Sequence, residues 1–411
     1  MIVQRVEKHL IKQNNSYYPM FCDFAHKSKN LYNHANFLVR NEFIKNDKWL
    51  RYGEMDKILK ADLEFDDYKQ MPAAQSAQQI LRLLEKDWKS FFAAIKDWNN
   101  HKDKYLGRPK LPKYKSKDGK HILILTNQNV KIKDGILCFP ETFKGFTLNP
   151  QFLNKDNFVS FQQVRFVPGY KSFTVELVYN IEVPDALLPD NGRYLSVDIG
   201  LDNLATVVNN VGDKPIVING KGLKSINKYY NKQISHYREV AKRMNNKDYT
   251  NRMNSLTLKR NHKIDDYMHK ASKYLIDYAL ENDFNTIVIG NNKNWKQESS
   301  MSKRVNQSFV GIPHMRFIEM VQYKAQNVGL NAILTEESYT SGTSFLDNEE
   351  PIKTNYDKSR RVQRGLFVSN NGTKINADVN GAYQIMRKVF PKVNADGIQG
   401  VALHPIRVSV A

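Results

Sequence analysis

The chain has 411 residues, 41% of them hydrophobic, and 62 Lys or Arg against 42 Asp or Glu give a formal net charge of +20. This composition excludes overall disorder, and the absence of an apolar run of about 18 residues or of an N-terminal apolar signal segment argues against a membrane or secreted protein. Cys22 and Cys138 lie too far apart for a CxxC zinc site.

The charge points to a polyanionic partner. Nucleic acid is the first expectation and an anionic membrane surface the second. Aromatic residues make up 11% of the chain, which favours RNA or single-stranded DNA because bases stack on rings. We expect a cytoplasmic, reduced protein.

Residues 1–20 predict one or two strands and residues 21–104 predict helices. The clearest helix is AAQSAQQILRLLEKDWKSFFAAIKDW, where apolar residues recur at helical spacing. Gln75, Gln78 and Gln79 fall on or near its polar side. They are candidates for contacts with base edges, because glutamine can pair bidentately with adenine, although glutamines on a helix surface commonly have no specific role.

The segment KYLGRPKLPKYKSKDGK, residues 104–120, is basic and contains two prolines and two glycines, which exclude a regular helix. It is either a solvated loop or an extended arm along a phosphate backbone, and its interleaved tyrosines favour the arm. The candidate nucleic-acid contacts are Arg108, Lys110, Lys113, Tyr114, Lys115 and Lys117.

Residues 121–195 predict antiparallel strands. A Lys-Asp-Gly turn separates two alternating runs, and Pro168-Gly169 marks a second expected turn. We expect a β-barrel that the N-terminal strands join, with the helical segment as an insertion.

From residue 194 the pattern changes to apolar strands and long helices. RYLSVDIGLDNLATVV predicts a hairpin that carries Asp198, and residues 221–273, with 14 Lys or Arg against 4 acids, predict two antiparallel helices. A strand ending at Gly290, a helix and a strand followed by Glu336 and Glu337 predict adjacent parallel strands. A last helix carries Asp378 near its start, and the final dozen residues predict a loose tail.

Four acidic residues lie at the ends of these elements: Asp198, Glu336, Glu337 and Asp378. Two-metal nucleases need carboxylates from separate elements to hold two Mg²⁺ ions. Without metal such a group repels itself. From spacing alone the signal is weak, because acidic residues at strand ends are usually solvated.

The motifs LSVDIGLDNLATV, NTIVIGNNKNWKQ, TEESYTS and INADVNGAYQIMRKV together resemble the TnpB family, transposon-encoded RNA-guided nucleases related to the compact type V CRISPR effectors. The resemblance covers nearly the whole chain and implies an α/β multidomain fold. The implied domains are a wedge β-barrel (1–20 plus 105–195), a helical recognition domain (21–104), a RuvC-like RNase H fold domain (196–340 plus 376–400), a small target-nucleic-acid-binding insertion (341–375) and a tail (401–411).

The resemblance also implies a function. A guide RNA directs cleavage of double-stranded DNA beside a short adjacent motif, with Mg²⁺, expected as two ions, as the cofactor. The protein acts as a monomer or dimer on one RNA, away from membranes and on the prokaryotic nucleoid when on target. Asp198 matches the first RuvC motif and Asp378 the third. Candidates for substrate binding near the site are Arg360, Arg361 and Arg364, which alternatively are loop residues without a specific role.

Two features depart from the family. Gly290 stands where the family usually has a glutamate, and the insertion lacks the usual cysteine pairs, so no zinc is expected. In an RNase H fold the Gly290 strand should lie between the Asp198 strand and the strand before Glu336, about 10 Å across two strand spacings. A glutamate there could lean over the vacant glycine. The pleat lets only one of the two face the site, and Glu337 is favoured over Glu336.

Other interpretations stay open. Loss of the glutamate at position 290 also fits a nuclease-inactive RNA-guided DNA-binding protein, such as a transcriptional repressor. A protein–RNA scaffold and an RNA-directed nuclease are further alternatives.

Overall fold

The computed structural model describes residues 1–246, 249–292, 307, 311–363, 365–393 and 404–410. The chain divides into two compact units, Met1–Glu182 and Val183–Ala411. Each unit combines helices and strands, so the prediction of a mixed α/β fold is confirmed. No helix in the described ranges is long and apolar enough to cross a membrane. The finer assignments, a wedge barrel and a RuvC-like domain with the boundaries given above, stay predictions.

The first unit contains two antiparallel sheets. A four-stranded sheet has the order β1-β7-β6-β2, and a three-stranded sheet has the order β3-β4-β5. The strands are β1 (Ile2–Lys12), β2 (Leu123–Thr126), β3 (Lys131–Lys133), β4 (Ile136–Cys138), β5 (Thr147–Leu148), β6 (Phe158–Gly169) and β7 (Ser172–Glu182). The N-terminal strand therefore joins the later strands, as expected from the sequence.

Three helices lie between β1 and β2, namely α1 (Tyr18–Asn46), α2 (Tyr52–Ala61) and α3 (Ala74–Asn100). They hold together through one apolar side of α3. Trp88 is fully buried, and its indole N–H donates to the Asn36 side-chain oxygen at 3.1 Å. A buried indole needs such a partner, so this hydrogen bond orients α1 against α3.

One predicted turn is shifted by two residues. The ladder between β6 and β7 continues through Pro168 and Gly169, which pair with Phe173 and Ser172. The chain therefore reverses at Tyr170 and Lys171, and Lys171 takes a left-handed φ of 48°. The Lys-Asp-Gly turn was placed correctly, with Lys133 of β3 pairing with Ile136 of β4.

The second unit is built on a six-stranded sheet of order β12-β11-β8-β9-β10-β15. Its strands, with a separate two-stranded hairpin β13-β14, are β8 (Tyr194–Asp198), β9 (Asn203–Asn209), β10 (Ile216–Asn219), β11 (Thr286–Gly290), β12 (Asn331–Thr335), β13 (Leu366–Val368), β14 (Lys374–Asn376) and β15 (Ile406–Val408). β11 is parallel to both β8 and β12 and lies between them, which confirms the expected order.

The described residues of this unit also form four long helices: α4 (Lys221–Asn245), α5 (Asn251–Glu281), α6 (His314–Asn327) and α7 (Ala377–Val389). α4 and α5 run antiparallel, since Tyr230 contacts Thr257 and Asn227 contacts Arg260. One side of the sheet packs on α5 and α6, and the other on α7. Leu195 and Val197 face α5 and α6, so the alternating Asp198 faces α7.

The C-terminal segment is more ordered than expected. Residues Ile406–Val408, predicted to lie in a loose tail, instead form β15, parallel to β10 at the outer edge of the sheet. The pairing is fixed by the backbone of Ile406, whose N–H donates to the Pro215 carbonyl at 2.8 Å. A strand this short has no periodicity of its own to reveal it.

The segment between β12 and α7 is fastened to α7 by stacking and buried hydrogen bonds. The Phe345 ring stacks on Tyr383 at 4.5 Å, and the Arg387 guanidinium lies 4.3 Å from the Phe345 centroid. The buried Asn380 side chain accepts from the Phe345 N–H and donates to the Thr343 carbonyl. These contacts explain how the insertion keeps its shape without cysteine pairs.

Candidate active site

The carboxyl ends of neighbouring strands open into a cleft of about 540 Å³. Asp198 ends β8, Glu337 lies two residues after β12, and Asp378 is in the first turn of α7. All three line the cleft, together with Asp202, Asn203, Lys221, Asn292, Arg361 and Arg407 among others. The fold therefore brings together three of the four acidic residues singled out in the sequence.

The two adjacent glutamates point in different directions. Glu337 is half-buried in the cleft, where the Asn292 side-chain amide donates to it at 3.4 Å. Glu336 is 61% exposed and accepts hydrogen bonds from Ser338 and, at 3.2 Å, from the Lys388 ammonium. Alternation along an extended backbone accounts for this difference.

Gly290 leaves room for the Glu337 side chain. A Cβ atom built at position 290 would lie 2.4 Å from Glu337 Oε1 and 2.7 Å from its Cγ, and 2.6 Å from Ile385 Cδ1 on α7. These distances are far below van der Waals contact. Glu337 could therefore not keep its present position if residue 290 carried a side chain.

Asp198 lies in a crowded and acidic place. Burial raises its pKa well above the usual value, and the charges of Glu337 and Asp378 raise it further, while Arg361 opposes them. Its Oδ2 is 2.9 Å from where a Cβ of Gly381 would be, so the glycine lets α7 approach the carboxylate. Burial, with a smaller effect of the Glu336 charge, raises the pKa of Glu337 to about 7.

Asp378 is held by two polar neighbours. The Asn203 side-chain amide donates to its Oδ2 at 2.8 Å, and the Arg361 guanidinium donates to its Oδ1 at 3.3 Å. In the described part of the chain, no three His, Cys, Asp or Glu side chains stand close enough together to form a ready-made metal site. Asp378 is thus oriented by protein groups, on a surface that also carries the other two carboxylates.

Two family models match this chain. Residues 176–296 match OrfB_IS605, described as a probable transposase, and residues 314–385 match the TNB domain of Cas12f1-like proteins. A TnpB-like protein, ORF457 of Acidianus two-tailed virus, is 21% identical over 398 residues, which cover 89% of this chain and 82% of the relative. The resemblance to the TnpB family is confirmed.

Solved structures give weaker likenesses. Cas12f1 in a complex with sgRNA and target DNA has a TM-score of 0.37 at 13% identity, covering 93% of this chain and 98% of that one. The mini-RNA-guided endonuclease CRISPR-Cas_phi3 has a TM-score of 0.49 at 10% identity, covering 94% and 92%. The resemblance to TnpB proteins rests on the sequence matches.

The arginines of the TnpB-like insertion have separate surroundings. Arg361 lines the cleft. Arg360 is bound to Glu349 at 2.8 Å and is only 18% exposed, so its charge serves the fold of the insertion. Arg364 lies outside the described residues. Of the three candidates, the structure places Arg361 at the carboxylates.

In the first unit the basic segment is an extended arm tied to α1. Asn33 exchanges two hydrogen bonds with the backbone of Lys115, and Asn36 and Arg40 donate to the Pro112 carbonyl. Lys115 is half-buried over the Tyr32 ring. The remaining candidates on the arm are exposed, namely Arg108, Lys110, Lys113, Tyr114 and Lys117. Their charges face solvent from a fixed backbone.

The three glutamines of α3 are half-buried. The Gln75 amide is engaged by Gln128 at 3.3 Å and Asn129 at 2.8 Å. Gln75 therefore already uses hydrogen bonds that base recognition would need, whereas no such pair involves Gln79 among the described residues. Contact of these glutamines with bases stays a prediction.

The sequence analysis missed several residues of the cleft. Asn203 follows Asp198 by five positions in the same hairpin, so its closeness could have been inferred from the turn. Lys221 begins α4, and no sequence pattern singles it out. Arg407 reaches the cleft only because β15 pairs with a strand far away in the sequence.

Proposed function

We propose that this TnpB-like chain is an RNA-guided DNA endonuclease that cleaves double-stranded DNA next to a short adjacent motif. Its nuclease centre is RuvC-like and uses Asp198, Glu337 and Asp378, with Glu337 in place of the glutamate that the family usually carries at position 290. The guide RNA and the adjacent motif are carried over from the TnpB resemblance. The exposed cations of the basic arm supply contacts for the guide backbone.

The space above Gly290 is the observation that carries the proposal. The side chain of Glu337 occupies the volume in which a residue at position 290 would project. A chain that had simply lost its glutamate would have no reason to fill that volume with another carboxylate. The arrangement favours relocation over inactivation.

The donor chemistry of the cleft fits divalent metal. Three carboxylates supply only oxygen ligands, which Mg²⁺ prefers. Burial, and then the charges of Glu337 and Asp378, raise the pKa of Asp198, and a bound cation would favour its ionised form. Asp198, Glu337 and Asp378 would hold the metal, which would activate water and stabilise charge on the phosphate.

Neighbouring side chains orient the carboxylates and balance their charge. Asn203 orients the Asp378 carboxylate toward the cleft. Arg361 balances its charge and is the insertion's direct link to the carboxylates. Thr340 donates from both its N–H and its hydroxyl to the Glu337 carbonyl, at 3.3 and 2.8 Å, and so fixes the backbone that presents Glu337. Base pairing with the guide would select the sequence.

A cleavage assay with a matched pair of variants tests the proposal. Plasmid DNA carrying the target is incubated with the protein, its bound guide RNA and Mg²⁺. Glu337→Gln should lower the cleavage rate by more than about 100-fold, which exceeds the loss expected for a residue that only hydrogen-bonds to a metal ligand. Glu336→Gln, its neighbour, should stay within a few-fold of the wild type.

Two results would contradict parts of the proposal. A wild-type protein that binds the target but never cuts it would replace the endonuclease by the nuclease-inactive alternative. If the wild type cuts and both glutamine variants cut equally well, the relocation of the glutamate is wrong. Target binding measured in parallel shows that each variant still assembles with RNA.

A further inference from the structure

Two of the cationic side chains that line the cleft have no ion pair or side-chain hydrogen bond within the described part of the chain. Lys221, Arg361 and Arg407 all line it, and Arg361 is bound to Asp378. Within the described ranges, the side chains of Lys221 and Arg407 make no ion pair or hydrogen bond with another residue. Both residues are exposed. Cations that line a cleft and have no partner within the protein are available to an anion from solution.

The backbone fixes the direction of Arg407. It pairs with Val217 in the middle of β15, and its neighbour Val408 packs on the core that faces α5 and α6. Side chains alternate along a strand, so Arg407 projects to the opposite side of the sheet, where Asp198 and α7 lie. Lys221 follows the end of β10, the neighbouring strand.

The cleft therefore has two chemically different parts. The carboxylates come from β8, the segment after β12 and α7, while Lys221 begins α4 directly after β10 and Arg407 lies on β15 at the sheet edge. A phosphodiester chain would suit both parts, since metal held by the carboxylates would bind one phosphate and Lys221 and Arg407 would bind another. Arginine is well matched to this task because its planar fork donates two parallel hydrogen bonds to phosphate.

We propose that Lys221 and Arg407 form a phosphate-binding subsite that positions the nucleic-acid strand in the cleft. The proposal rests on the proposed function for the identity of the strand. Both are positioning residues: they hold a phosphate next to the one that is cleaved and take no part in bond breaking. The C-terminal strand β15 thereby becomes part of the substrate site.

The test separates binding from chemistry. In an Asp198→Asn background, binding of a short single-stranded DNA is measured against salt concentration for Arg407→Ala, Lys221→Ala, Arg407→Lys and the control Lys214→Ala. Lys214 is an exposed cation just before β10, at the end away from Lys221. Each lost phosphate contact should reduce the slope of log K against log salt by about 0.7 and weaken binding about tenfold.

Kinetics give the second readout. With Asp198 intact, Arg407→Ala should raise KM for a short single-stranded substrate about tenfold with kcat within about twofold, since loss of uniform binding changes KM alone. Arg407→Lys should recover part of the loss, because it keeps the charge but not the planar fork of the guanidinium. Lys214→Ala should match the parent in both assays.

Several outcomes would overturn the subsite. Unchanged salt slopes and KM for both alanine variants would do so, and this would leave cleavage itself untouched. Equal losses in Arg407→Ala and Arg407→Lys, with a lowered Tm, would make Arg407 a structural residue. If the wild type never cleaves but the salt slopes fall as expected, the subsite stands and the proposed endonuclease fails.

Discussion

Replacing Glu337 by glutamine removes one ionisable group from the cleft and leaves its size unchanged. Burial, and then the Glu336 charge, raises the pKa of Glu337 from 4.5 to about 7. An acid whose pKa is raised in the folded state destabilises the fold in its ionised form. The penalty begins above pH 4.5 and is complete above about pH 7.

The size of the penalty follows from the same pKa. Each pKa unit corresponds to about 1.4 kcal/mol, so ionised Glu337 costs the metal-free protein about 3 kcal/mol. Glu337→Gln should therefore be more stable than the wild type by up to about 3 kcal/mol at pH 8 and nearly equal to it at pH 4.5. Excess Mg²⁺, at about 100 times its Kd, should raise the free energy of unfolding of the wild type by about 3 kcal/mol, which removes its difference from Glu337→Gln.

Amide hydrogen exchange of peptides from β8 and β11 is the suitable measurement, because it reports on the strands beside the cleft. Tryptophan fluorescence is less specific, since three of the four tryptophans, Trp49, Trp88 and Trp98, lie in the other unit. Glu336→Gln is the control: the pKa of Glu336 is lowered by Ser338 and Lys388, so its replacement should bring no gain at pH 8. A wild type that is as stable as Glu337→Gln at pH 8 without metal would refute the reasoning, and so would an equal gain from Glu336→Gln.

Three further outcomes are expected. Gly290→Ala should displace Glu337 and abolish most DNA cleavage. The control is Gly53→Ala in α2, whose new Cβ meets no atom within 4 Å; it should leave cleavage unchanged and stabilise the fold by about 0.5 kcal/mol. Cleavage assays and urea denaturation check both variants. Burial lowers the pKa of His121 from 6.5 to about 4, so the free energy of unfolding of the first unit should fall by about 3 kcal/mol as the pH falls from 6.5 to 4. In denaturation measured against pH, His121→Asn should reduce this dependence. Phe345→Ala should cost about 3–5 kcal/mol as a fully buried aromatic, measured as faster hydrogen exchange in the insertion.

The strands β8, β11 and β12 were predictable as short apolar runs, each bounded by a turn or a helix, and their order was predictable from the implied RNase H fold. The position of Glu337 was predictable from the pleat, once β11 was expected between β8 and β12. Local periodicity and the rule for parallel connections give the neighbouring strands β11 and β12, and the place of β11 beside β8 follows from the RNase H fold that the TnpB resemblance implies. Their catalytic meaning stays a proposal.

Other features depend on contacts that no local pattern encodes. The reversal at Tyr170 and Lys171 was misplaced because Pro-Gly is a strong turn signal, yet the ladder with Ser172 and Phe173 overrides it. β15 was missed because three residues carry no periodicity and the partner strand is distant in the sequence. Arg407 could not have been assigned to the cleft without that pairing.

The close packing over Gly290 also bears on how such a chain can change over time. Restoring a glutamate at position 290 while Glu337 is present creates a clash, because both side chains claim one volume. Removing Glu337 first leaves the cleft short of a carboxylate. Under the proposed relocation, either order of substitution passes through an intermediate with an impaired site, so single substitutions do not lead back to a glutamate at position 290.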